Sequence, residues 1–206
     1  MSTNYSTKLR RGFSTGQRDP YQFMMWLGIA GSTLMFLSLL ILSFFRKDSL
    51  GWEEIRMPGA FWLSSLLIFS SSVTLFEATL AFKAERFKHY RICLGLTFLL
   101  GLIFIVVQAV GWIELFEANK SIEGKNSSLY FIYLITGLHF LHILGGLAFM
   151  GILFTEAIRN SSYIDAFVYS VNGPNLIRIK MLNIFWHFIG VLWLVLFFVM
   201  LFYLLP

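Results

Sequence analysis

Three histidines sit at positions where imidazoles are expensive to keep. His139 and His142 lie in Ser128–Thr155 (SLYFIYLITGLHFLHILGGLAFMGILFT), which carries no formal charge, and His187 lies in a second apolar stretch, Met181–Leu205. At about 1.5 Å per residue, each stretch is long enough to cross roughly 30 Å of hydrocarbon. An imidazole at that depth is costly unless it faces protein or water. At about 100° per residue, His139, His142 and Gly146 fall in one narrow sector of a helix. Gly146 lets a neighbouring helix approach, and the imidazoles then find partners on it. The C-terminal stretch offers such a neighbour, with Asn183, His187 and Gly190 on one face.

Several chemistries are open to such a set. His139 or His142 opposite His187 could supply axial ligands to a haem. The same trio with Glu77 could hold a metal. However, His139 and His142 are only three residues apart on one helix, and no carboxylate is placed to orient them. A proton relay would need an unbroken chain of acids, which is missing. Interhelical hydrogen bonding is the favoured reading, with the haem or metal site and the relay as alternatives. Trp186 and Trp193 flank the His187–Gly190 face and read as packing, or as a surface for lipid tails or a partner protein. No phosphate loop, Gly-x-Ser-x-Gly or His-Glu-x-x-His occurs. The single cysteine, Cys93, excludes an internal disulfide or a thiol cluster. The expectation is a chain with no catalytic, metal or cofactor site of its own.

The elements that position these residues follow from composition. Of 206 residues, 57% are hydrophobic and 13% charged, about half the charge of a soluble domain at roughly 25%. Apolar runs of membrane-spanning length recur, so the fold class is all-α: a polytopic bundle of five transmembrane helices forming one domain over 21–206. Spans are expected at about 21–45, 58–82, 92–113, 128–155 and 181–205, after a basic arm at 1–20. The first span opens on Tyr21, Phe23 and Trp26, and its Gly28, Gly31, Ser32 and Thr33 suit helix packing. The second span should start with Pro58 in its first turn. It is rich in hydroxyls, and Ser70, Thr74 and Glu77 form a seam expected to face other helices. Glu77 is weighed as a shallow carboxylate reaching the interface or pairing with Lys83, against a proton or lipid-headgroup role. Glu156–Lys180 reads as the longest loop, with a turn at Gly173–Pro174. Lys and Arg concentrate in the arm, in Lys83–Arg91 and in Glu156–Lys180. This places the N-terminus in the cytoplasm and the C-terminus outside. The net charge of +5 is therefore read as orientation rather than nucleic-acid binding. No cleavable signal peptide and no inverted repeat is seen, and the latter weakens a small membrane transporter, the alternative of a different class.

At TGLHFLHILGG (Thr136–Gly146) and FWHFIGVLWLVLF (Phe185–Phe197) the chain resembles subunit III of haem–copper terminal oxidases, in the short five-helix bacterial form. The matching positions are Gly137, His139, His142, Trp186, His187, Phe188, Val191 and Trp193. Ser70–Phe82 with its following basic loop, and Gln108 in FIVVQAVGW, resemble further family segments. The resemblance implies a non-catalytic subunit of a cytochrome c oxidase in the bacterial inner membrane. Such a subunit packs against subunit I, holds phospholipid, and supports proton uptake and durability in turnover. Haems and copper are implied for subunits I and II, in an enzyme that reduces O₂ and pumps protons and can join a respiratory supercomplex. Subunit III of a quinol oxidase and a nitric-oxide reductase accessory subunit are the related alternatives; an isolated haem-binding cytochrome is a more distant one. The chain departs from the family at Ser32, Gly190 and around Gly111, where acids are common. Those departures weaken a carboxylate-based proton role and leave packing and lipid binding intact.

Overall fold

The computed structural model describes residues 20–45, 58–118 and 127–204, without the side chains of 127–129 and 203–204. The described regular structure is helical: α1 (Pro20–Phe45), α2 (Ala60–Lys83), α3 (Phe87–Ala118), α4 (Ser127–Arg159), α5 (Tyr163–Val171) and α6 (Gly173–Leu204). All but α5 are long and apolar enough to cross a membrane. Helices suit that setting because each satisfies its own backbone donors and acceptors where water is absent. The basic arm at 1–20, save Pro20, lies outside the described residues, as do Arg46–Arg56, 119–126 and the last two residues.

Three boundaries differ from expectation. Pro58 precedes α2, with Gly59 as the N-cap, instead of sitting in its first turn. Only Ala84–Arg86 separate α2 from α3, and Glu85 takes a left-handed backbone (φ 57°) to make the turn. Glu156–Lys180 is mostly helix: α4 runs to Arg159, α5 occupies the middle, and α6 begins at Gly173. A charged residue marks where the membrane ends. The helix goes on past it, since its hydrogen bonds do not depend on the hydrocarbon.

α2 and α3 pack as a close antiparallel hairpin, and α6 lies against both α2 and α4, with α4 also against α3. The shared core includes Phe61, Leu75, Phe104, Ile143, Met150, Trp186, Ile189 and Trp193. α1 leans on α6 at the edge of this bundle, and only Phe36 and Ser43 of α1 are buried. Phe36 packs with Ile135, Leu192 and Leu196 in a separate small cluster. Added Cβ atoms at Gly28 and Gly31 would meet nothing within 4 Å. Gly28 and Gly31 therefore mediate no helix packing among the described residues, contrary to the sequence expectation, whereas Ser32 does contact α4.

Candidate functional site

The centre of the bundle is built around the two indoles of α6. Trp186 and Trp193 are seven residues apart, close to two helical turns, so both point to the same side. Both are fully buried (0% exposed), which removes the reading of this stripe as a lipid-facing or partner surface. A buried indole must place its one N–H. Trp186 Nε1 donates to Ser71 Oγ at 3.0 Å and Trp193 Nε1 to Ser65 Oγ at 3.1 Å. Those serines are supplied by α2, whose other hydroxyls largely bond back to their own helix, as Ser70 does to Leu66 and Ser64 to Phe61. The sequence reading missed this pairing. Its signal was present: two indoles at seven-residue spacing need acceptors, and one span is rich in hydroxyls.

Around Trp193 the packing is aromatic. Phe61 and Phe104 meet it edge-on at centroid distances of 5.7 and 5.6 Å, and the His139 ring stacks on it at 5.4 Å and 29°. His139 is 1% exposed, and neither ring nitrogen has a hydrogen-bond partner among the described residues. The expected bond from His139 across to the last helix is therefore not formed; the contact there is ring stacking. Gly146 faces that helix closely, since a Cβ there would lie 3.2 Å from both Ile189 and Trp186. Gly137 is open, with nothing within 4 Å of an added Cβ.

His142 turns elsewhere. Its Nδ1 lies 2.8 Å from the Leu138 carbonyl, which can only accept, so Nδ1 carries a proton. In the neutral ring Nε2 then accepts from the Ser32 hydroxyl at 2.9 Å. The partner helix is α1, not the C-terminal helix expected. Ser32 stands where the resembled family commonly has an acid, and here a hydroxyl meets the imidazole. Phe36 adds an edge-on contact to the same ring at 5.5 Å. Both nitrogens of His142 are thus engaged within the protein.

The face of α6 bearing Asn183 and Gly190 also points away from α4. Thr79 of α2 donates to Asn183 Oδ1 at 3.2 Å, and a Cβ on Gly190 would come within 3.2 Å of Ser72 Oγ. His187, half-buried, donates from Nδ1 to its own helix at the Asn183 carbonyl, 2.7 Å away. The Asn183–Gly190 face of α6 packs on α2, and its indole face sits among α2, α3 and α4. Gly190 and Gly111 are two positions where family acids are absent, and both are closed by packing. An added Cβ at Gly111 would lie 2.6 Å from the Phe61 ring.

Of the expected α2 seam, Thr74 bonds Thr97 of α3 at 2.8 Å, while Ser70 and Glu77 face outward. Glu77 forms no ion pair with Lys83; among the described residues the ion pair is Arg178–Glu156. That pair was missed because its residues fell in the supposed loop. Arg178 donates to both oxygens of Glu156 (2.8 and 2.9 Å), Tyr169 donates to the same carboxylate at 2.7 Å, and Asn175 ties the Tyr169 carbonyl at 3.0 Å. One carboxylate thereby joins α4, α5 and α6. Burial, and then the bond to Glu156, push the Tyr169 phenol well above its ordinary range.

Two grooves flank α1. One of about 640 Å³ is lined by Leu40, Phe44, Phe45, Phe198 and Val199, and is almost wholly apolar. The other, of about 510 Å³, runs from Tyr21 to Phe149, Asn175 and Arg178 at the opposite end of the bundle. Among the described residues, no three His, Cys, Asp or Glu side chains converge to hold a metal ion. Of the intramembrane histidines, His142 has both ring nitrogens engaged, His139 lies against an indole, and His187 uses Nδ1 on its own helix.

The fold and its centre define a multi-pass helical membrane protein whose intramembrane polar groups are largely committed to joining its own helices. The chain belongs to the cytochrome c oxidase subunit III family, whose profile matches residues 20–204. It is 28% identical over 179 residues to the cytochrome c oxidase subunit 3 of Bacillus sp. (strain PS3), covering 84% of this chain and 80% of that protein. It is also 26% identical over 189 residues to the cytochrome bo(3) ubiquinol oxidase subunit 3 of Buchnera aphidicola subsp. Baizongia pistaciae (strain Bp), covering 84% and 86% respectively.

Proposed function

We propose that the chain is the non-catalytic subunit III of a bacterial cytochrome c oxidase, packing beside subunit I in the inner membrane. The family match over 20–204 carries this reading. Among the described residues no three His, Cys, Asp or Glu side chains converge on a metal position, in keeping with haem and copper held by subunits I and II. The charge asymmetry supports a cytoplasmic N-terminus and an outer C-terminus. The exposed aromatic and aliphatic face of α1, including Phe23, Trp26, Leu34 and Phe45, supplies a surface for the partner subunit. The apolar groove of α1 at Leu40, Phe44 and Phe45 suits phospholipid tails. With Gly111 and Gly190 closed to acids, support of proton uptake is indirect here, through holding subunit I and its lipids in place.

The Buchnera relative favours a second reading, subunit III of a quinol oxidase. A tag on this chain and gentle detergent extraction separate the two. Copurification of a haem–copper subunit with a copper-bearing subunit II, oxidising cytochrome c, is the expected result. The same haem–copper subunit oxidising quinol instead would favour the second reading. A chain recovered alone with transport activity would overturn both.

A further inference from the structure

Two side chains in the bundle carry polar atoms that the packing above leaves unpaired. Gln108 and His139 are each 1% exposed, and all four of their side-chain nitrogen and oxygen atoms lack a hydrogen-bond partner among the described residues. The same environment satisfies its other buried donors carefully: Trp112 Nε1 donates to Thr136, and Trp186 and Trp193 donate to serines. Leaving a buried polar atom unpaired costs its full desolvation, and no bulk water reaches the hydrocarbon to relieve it.

The two residues are neighbours by register. α3 and α4 run antiparallel with Trp112 opposite Thr136 and Gly101 opposite Leu147. That pairing sets Gln108 level with Phe140, beside His139. Trp193 lies close to this level too: His139 stacks on it, and Phe104, one turn before Gln108 on α3, meets it edge-on.

We infer that Gln108 and His139 form a shared binding site for ordered water inside the membrane. The donor set selects the ligand. Gln108 offers a carbonyl acceptor and two N–H donors, and a neutral imidazole offers one donor and one acceptor. A cation would satisfy only the acceptors and an anion only the donors. A direct Gln108–His139 bond would serve one atom of each and strand the rest. Water both donates and accepts, and buried waters commonly make about three hydrogen bonds.

The test uses the full chain in the assembly from which it is purified. A density map that resolves waters should show one within hydrogen-bond distance of both Gln108 and His139. A map with no such density, or with the amide bonded directly to the ring, would overturn the site. A mutant cycle supplies a second readout. Gln108→Leu and His139→Leu should each lower the thermal unfolding midpoint, because each strands the other's polar atoms. The double variant should then unfold no earlier than the worse single. A double variant whose midpoint falls by the sum of the two singles would show that they share nothing. Should His139→Leu fail to fold, Gln108→Met with His139→Gln completes the same comparison.

Discussion

Close contact between helices in this protein rests on a few glycines whose missing side chains are filled by named neighbours. Gly111 is the tightest, with Phe61 only 2.6 Å from an added Cβ, and Phe61 itself is 1% exposed and seated on Trp193. A ring held that firmly has no free direction in which to yield. Gly111→Ala should therefore destabilise the chain by about 1–3 kcal/mol, the usual range for overpacking. Thermal unfolding followed by tryptophan fluorescence would register it as a lowered midpoint. Gly31→Ala, with nothing within 4 Å, should not lower that midpoint. The histidines belong to the same account. One stacks on an indole, one bonds a serine of α1, and one bonds its own helix.

Among the elements, α5 depends most on a single interaction. It is nine residues long, and of its residues Ala166 alone is buried, so its packing holds it weakly. The Glu156 carboxylate, held by Arg178 in two bonds and by Tyr169 in a third, fastens it to α4 and α6. Glu156→Gln removes the charge that strengthens these bonds and should cost about 2 kcal/mol locally. Hydrogen–deuterium exchange should quicken across Tyr163–Val171 and stay unchanged in the α2–α3 hairpin, which shares no part of this network. Equal acceleration in both would show that the carboxylate stabilises the whole bundle instead of its end.

For the molecule as a whole, a four-helix core of α2, α3, α4 and α6 carries α1 at its side, and α1 presents most of its length outward. Such a shape suits an accessory subunit, stable through its own core and offering one helix and two grooves to its surroundings. Cells lacking the chain should reduce O₂ at nearly the normal initial rate and lose activity faster over successive turnovers. Oxygen-electrode traces of membranes with and without the chain would show it. Immediate and complete loss, with the remaining subunits still assembled, would contradict a supporting role.

Hydrophobic runs and the spacing of charges were enough to predict the number of spans and the helical class, because a bilayer accepts few backbone solutions and length reveals them. The residues of the centre, His139, His142, Trp186, His187 and Trp193, were equally visible as polar or aromatic groups in apolar stretches. Their partners were not. A helical period says which residues share a face, but not which helix that face meets, so His142 was assigned to α6 and found on α1. Asn183 and Gly190 were assigned to α4 and found on α2. Glu156 and Arg178 are 22 residues apart and became partners only once α5 folded back between two spans. Which helix each face meets is fixed by packing among five rods, a property of their mutual arrangement and of no single stretch of sequence.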